Sequence, residues 1–311
     1  MEPYKHIPVL LNEVIDGLEI RPNGIYVDCT MGGAGHSAAI LKRLSPEGHL
    51  YCFDQDDYAI NRGNLTLQEI GSNYTIIKSN FLNIKEELAN LNVKKVDGIL
   101  YDLGVSSFQF DMGDRGFSYN KDALLDMRMD TSQYLRAYDI VNYYSIDELK
   151  KIFYMYGEEK YASNIARNIV RRRAERAIET TFDLVEIIKQ SIPAFARRTG
   201  GHPAKKVFQA LRIAVNDELT VFEKSLKDAL SLLNEGGRIS VISFHSLEDR
   251  ICKQTFNNAV NVKLPKGLPI RDADIMRHYQ LVNKKVIVAN DQELLVNNRA
   301  HSAKLRIIAK I

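Results

Sequence analysis

Between about residues 25 and 107 the apolar positions follow two alternating rhythms. Short apolar runs at 25–29, 49–53, 74–77 and 96–100 read as strands, while 37–44, 56–70 and 84–91 space their apolar residues as helices do. Strands separated by helices predict a parallel sheet with right-handed crossovers. The alternation stops over 103–135, a polar, glycine-containing stretch whose length marks it as functional or disordered. Helical patterns follow. Ser145-Ile146-Asp147-Glu148 is a capping box opening a helix that carries Leu149, Ile152 and Phe153 on one face. A second helix covers about 159–177, and a third runs from the Thr180-Thr181-Phe182-Asp183 cap to Pro193. A basic turn at 197–203 leads into one long helix over about 206–233. The first rhythm then returns, with a strand at 237–243, a helix at 247–256 and strands at 286–289 and 304–309. The prediction is an α/β sheet interrupted by a helical insertion.

Charge sharpens the division. The 311-residue chain carries a net charge of +3, yet 167–212 holds eleven Lys/Arg against four Asp/Glu, an excess of +7. The remainder sums to −4. A basic middle on a slightly acidic body suits either a polyanionic partner or a solvated helical face. The three cysteines, Cys29, Cys52 and Cys252, form no C-x-x-C pair, and the first two fall inside apolar strand patterns. Buried thiols in a reducing compartment are expected, and no metal site. The start, Met1-Glu2-Pro3-Tyr4-Lys5, lacks a signal peptide's basic and apolar regions, and no apolar run approaches the ~18–20 residues that span a bilayer. A soluble, cytoplasmic protein without a membrane partner is expected.

Three predicted strands end in acids. Asp28 begins Asp28-Cys29-Thr30-Met31-Gly32-Gly33-Ala34-Gly35-His36; Asp54 follows Phe53; Asp102 precedes Leu103-Gly104-Val105-Ser106-Ser107. Ligands of open α/β sheets sit beyond the carboxyl ends of the strands. The glycines allow close backbone approach to a ligand, or merely a tight turn. Asp54 suits the two hydroxyls of a ribose, or caps the 56–70 helix. Phe81 suits an adenine face, or packs in the core. A nicotinamide cofactor and S-adenosylmethionine both fit this far. Asp28, placed to meet a cationic amino-acid moiety, and the Asn80-Phe81 pair favour the second. Asp102 reads as a site acid, or as a loop cap or partner of Arg115 or Arg128. His245 reads as a base, or packs while Ser246 caps the following helix with Asp249 at its third position.

These residues belong to longer motifs. They include 6–11, 28–37, 102–107, 115–118, 125–130, 156–159, His202-Pro203 leading into 208–213, 215–219, 242–250 and 302–306. Together they resemble the bacterial small-subunit ribosomal RNA cytosine-N4 methyltransferases of the RsmH (MraW) type, over nearly the whole chain. The resemblance implies a class I, Rossmann-like methyltransferase sheet at 1–115 and 210–311, with a helical, basic, RNA-binding domain at 116–209. It implies S-adenosylmethionine as methyl donor, with contacts at Ala34, Gly35, His36, Asp54, Phe81, Asp102 and Gln109. Asp102 would be the catalytic residue. The substrate would be one cytidine in the decoding region of 16S rRNA, in the 30S subunit; monomer and homodimer both stay open. Two segments depart from the usual pattern: 31–34 lacks a basic residue in the glycine loop. Asn297-Asn298-Arg299-Ala300-His301 stands where Asn-Pro-Arg-Ala-Arg is usual, which removes a fixed turn and a permanent charge.

Overall fold

The computed structural model describes residues 7–104, 115–198, 201–261 and 276–311. The chain divides into two compact units, Met1–Gly104 with Leu219–Ile311, and Val105–Glu218. In chain order, the first unit opens with α1 (Leu11–Leu18), β1 (Ile25–Asp28), α2 (Gly35–Leu41), β2 (His49–Asp54), α3 (Asp57–Gln68), β3 (Tyr74–Lys78), α4 (Ile84–Asn90) and β4 (Val96–Asp102). The second unit holds α5 (Ala137–Tyr143), α6 (Ile146–Met155), α7 (Ala162–Glu175), α8 (Thr181–Ser191), α9 (Ala194–Arg198) and α10 (Lys205–Asn216). The chain then continues through α11 (Glu218–Leu232), β5 (Leu233–Ser243), α12 (Ser246–Val260), β6 (Tyr279–Leu281), α13 (Asp291–Val296) and β7 (Lys304–Lys310).

The seven strands form one sheet in the order β3-β2-β1-β4-β5-β7-β6, with β7 antiparallel to both its neighbours. This is the class I methyltransferase order. Strands covered on both faces lose polar alternation and read as continuous apolar runs, as β4 does. Its alternate residues divide between two cores: Ile99 and Tyr101 join one, Leu100 the other. The strand order reverses between β1 and β4, which opens a crevice beyond their carboxyl ends.

In the second unit α5–α8 and α10 bury one apolar face each around Phe153, Ile165, Leu184 and Phe208. Gly157 follows α6, where a Cβ would lie 2.6 Å from the Lys206 carbonyl oxygen and 2.8 Å from that of Phe153. Only glycine lets the backbones approach so closely.

By contact the units divide after Gly104 and after Glu218, where the sequence reading sets the boundaries at 115 and 209. The physical reason for the second is that α10 buries Val207, Phe208, Leu211 and Val215 in the helical core. Two expectations need correction. The long helix expected over 206–233 is two helices, because Asp217 adopts a left-handed φ of 47°. Residues 286–289 form no strand; Ile287 makes a single bridge to Leu305, and β6 takes the outer place beside β7.

Candidate active site

β2, β1 and β4 lie side by side, and each ends in an acid. The three acids have different surroundings. Asp28 is 1% exposed. The Thr30 N–H and hydroxyl donate to its Oδ1 at 3.0 and 3.4 Å, and the Ser37 hydroxyl donates to Oδ2 at 2.6 Å. Both oxygens hold the β1–α2 turn, and burial pushes the carboxyl above its usual range. Asp28 therefore fixes the turn.

Asp54 also stabilises that turn. Its Oδ2 accepts the Gly32 N–H at 2.9 Å and its Oδ1 the Asp56 N–H at 2.9 Å. It does not cap α3; Asp56 does, accepting from the Tyr58 N–H at 3.0 Å. Burial raises the Asp54 carboxyl to about 6, against the lowering effect of the Asp56 and Gly32 N–H groups. Within the turn Ala34 takes a left-handed φ of 59°, a conformation that costs a residue with a Cβ about 1 kcal/mol. At Gly35 a Cβ would lie 2.4 Å from Pro8 Cγ, so the 7–10 segment can cross the start of α2 only over glycine.

Asp102 is held from two sides. Its N–H donates to Thr30 Oγ1 at 2.7 Å, which ties the end of β4 to the turn after β1. Its Oδ2 lies 3.5 Å from His36 Nδ1. The other ring nitrogen, Nε2, is 2.9 Å from the Val9 carbonyl oxygen. Among the described residues Oδ1 has no hydrogen-bond partner although it is out of solvent. A buried acceptor without a partner costs on the order of 1–3 kcal/mol, so it marks a place where a ligand donor fits. Burial raises the Asp102 carboxyl to about 6, opposed chiefly by His36. Of the alternatives read from sequence, pairing with Arg128 is set aside: Arg128 binds Asp126 at 2.7 Å and the carbonyls of Thr131 and Gln133.

Phe81 follows β3 and meets Tyr101 edge-on, with ring centroids 5.6 Å apart. It is half-buried, so it packs on the core while keeping exposed surface. The Tyr101 hydroxyl donates to Ser225, which donates to the Phe81 carbonyl oxygen at 2.8 Å, fixing the backbone there. Asn80 caps the turn beneath it through Leu82 N–H and reaches Gln55 at 3.0 Å. Asp54, Asp102, Ala34, Gly35, His36 and Phe81 thus all lie in the first unit, at the ends of β2 and β4, at the start of α2 and just after β3. Gln109, Ser106 and Ser107 lie outside the described residues. Sequence reading missed Thr30 and the Val9 carbonyl; a hydroxyl two residues past a strand-end acid was the available signal for Thr30.

At the end of β5 His245, not Ser246, is the helix cap. Glu248 N–H donates to its Nδ1 at 3.4 Å, and Glu248 Oε2 accepts the N–H groups of Phe244 and His245. Asp249 binds Arg306 at 2.7 Å and Lys304 at 3.4 Å, joining α12 to β7.

A sequence model of the MraW methylase family matches residues 3–311. The chain belongs to the MraW methylase family. Solved structures with a related arrangement include a presumed rRNA methylase of Clostridium thermocellum, at 13% identity and TM-score 0.48, covering 99% of this chain and 100% of that one. An rRNA methylase of Streptococcus thermophilus aligns at 12% identity and TM-score 0.45, covering 99% of each chain. A presumed methyltransferase of Streptococcus mutans, solved with SAH, aligns at 13% identity and TM-score 0.43, covering 98% and 100%.

In this MraW methylase the motif residues of the second unit serve its own architecture. Asp126 receives the Arg128 guanidinium through two hydrogen bonds at 2.8 and 2.7 Å. Asn216 accepts the Met129 N–H and donates to the Met127 carbonyl oxygen, each at 2.8 Å. Gln209 donates to the Tyr156 carbonyl oxygen at 3.1 Å, beside Gly157. Within the basic 167–212 segment, Arg173 is turned inward onto the carbonyls of Val141 and Tyr144, ending α5. Arg171, Arg197 and Arg198 are exposed.

Proposed function

We propose that this methylase transfers a methyl group from S-adenosylmethionine to the exocyclic N4 amine of one cytidine in the decoding region of 16S rRNA, in the 30S subunit. The observation that carries the reading is the unpartnered, buried Oδ1 of Asp102. A cytosine N4 amine is a weak nucleophile because its lone pair is conjugated into the ring. It needs an acceptor that holds one N–H while the nitrogen pyramidalises, and Asp102 offers one at a strand end. S-adenosylmethionine, when bound, would supply an electrophilic methyl on its sulfonium sulfur and would leave as S-adenosylhomocysteine, with the bonding pair kept by sulfur. Asp102 then takes the proton that the methylated amine sheds and returns it to solvent. Positioning and electrostatics carry most of the rate.

The residues around Asp102 suit that donor. Asp54 retains acceptor capacity for ribose hydroxyls, and the Phe81 ring has exposed surface for adenine. Gly35 and His36 offer backbone, since the His36 ring is taken up by Val9 and Asp102, while the Ala34 N–H already donates to the Met31 carbonyl oxygen at 2.7 Å. Gln109 completes the set that the family resemblance implies. A covalent route through cysteine finds no support: burial holds the Cys29, Cys52 and Cys252 thiols well above their usual range. The exposed arginines of the second unit suit RNA phosphates, and the target base must be unstacked to react. No helix among the described residues is long and apolar enough to cross a membrane.

The test is methyl transfer from labelled S-adenosylmethionine to unmodified 30S subunits, followed by nucleoside mass spectrometry. N4-methylated cytidine at one position is expected, and Asp102→Ala should lower the rate about 10²–10³-fold. Methylation elsewhere on the base, or near-normal turnover by Asp102→Ala, would overturn the reading.

A further inference from the structure

We propose that His36 is a positioning residue that carries a proton between its ring and Asp102, keeping the Asp102 carboxyl ionised with Oδ1 turned to the target amine. The inference rests on the reading of Asp102 as the amine's acceptor. The Val9 carbonyl can only accept, so the hydrogen at 2.9 Å belongs to His36 Nε2. The opposite nitrogen, Nδ1, then faces Asp102 Oδ2 at 3.5 Å. A bare Nδ1 beside a bare carboxylate would set two lone pairs against each other in a place where His36 is only 5% exposed. One proton between them removes that conflict. Both outward contacts of the ring, to Val9 and to Asp102, are then satisfied at once.

The charged neighbours make the proton's place consequential. Asp102 is faced by His36 from α2, Asp28 from β1, Arg299 from the turn at Asn298–Ser302 and Glu248 from α12. Burial and the two acids favour the neutral acid form, while His36 and Arg299 favour the carboxylate. A neutral carboxylic acid carries a hydrogen on one oxygen and is a poorer acceptor for an amine N–H. Without His36 the balance tips toward that form. Sequence gave no hint of this, because Val9, His36 and Asp102 come from three separate segments.

The decisive measurement needs no loaded enzyme. Nitrogen NMR of the His36 ring in the unsubstituted protein at neutral pH should show hydrogen on both ring nitrogens; a bare Nδ1 would overturn the proposal. Infrared difference spectra against Asp102→Asn then follow the Asp102 acid band across pH in the free protein. In His36→Gln the acid form should persist to a pH roughly 1 unit higher, and the acid limb of single-turnover methyl transfer should move with it. His36→Asn, smaller and uncharged, serves as a second variant. Circular dichroism and the melting temperature of each variant confirm that it is folded. A rate lowered by the same factor at every pH, with the infrared midpoint unmoved, would make His36 merely structural. If Asp102→Ala itself turns over normally, the reading of Asp102 fails whatever the His36 variants do.

Discussion

The strand ends of the first unit and the loops of the second use polar motif residues in opposite ways. In the helical unit Asp126, Arg128 and Asn216 spend their hydrogen bonds on one another and on nearby backbone. At the strand ends some capacity stays unspent: Asp102 Oδ1 has no described partner. Burial holds Asp102 and Asp54 near 6, whereas the two Arg128 hydrogen bonds more than offset burial at Asp126 and hold it below its usual range. Both kinds of residue make a motif recognisable. Only the first kind costs stability, and that cost is the mark of a site.

The comparison breaks most visibly if Asp102→Asn lowers the melting temperature. It should instead leave stability unchanged or raise it while transfer falls by about 10²-fold or more, as calorimetry and single-turnover rates would show. In the helical unit Gly157→Ala should have the opposite signature. Its Cβ meets two backbone carbonyls, so it should destabilise the unit by about 3 kcal/mol, with an intact strand-end site read by S-adenosylhomocysteine binding. Arginines sharpen the same contrast. Arg173→Ala leaves the Val141 and Tyr144 carbonyls without their donor and should cost about 2 kcal/mol in urea unfolding. Arg171→Ala should change stability by less than about 0.5 kcal/mol, while RNA binding weakens and loses part of its salt dependence.

The same contrast extends to pH. For Asp54 and Asp102 the folded state binds protons more tightly than the unfolded chain. Their contribution to stability is therefore present below about pH 4 and is lost as pH rises to about 6. Asp126 and Asp139 have the reverse sign: their contribution is present above about pH 4 and is lost as pH falls below it. Hydrogen exchange, corrected for its intrinsic pH dependence, should show only the first unit weakening between pH 4 and 6. Equal weakening in both would erase the distinction.

Much of this was legible in the residues. The strands β1, β2 and β4 were readable because burial on both faces leaves continuous apolar runs. The capping boxes at Ser145 and Thr180 were readable because they are local, and both form as expected. β6 was not, since Tyr279–Leu281 has three residues and no fully buried position. The break at Asp217 was hidden because the apolar period continues across it with no glycine or proline to mark it. Within the site, the acids were visible but not their allegiances. Asp28, Asp54 and Asp102 occupy equivalent strand ends, and only distant partners such as Ser37, Gly32 and His36 distinguish them.

The antiparallel β7 has a kinetic consequence. β5 ends at Ser243, and its outer neighbour does not arrive until Lys304, about sixty residues later. Until then β5 presents an open, apolar edge, the kind that recruits other chains. Closing so long a loop is slow, because chain entropy is lost before any contact repays it. The pairing of Asp249 with Arg306 and Lys304 offers an electrostatic latch just beyond that edge. Acidic conditions that neutralise Asp249 should therefore slow the last step of folding and lengthen the time during which nascent chains can aggregate.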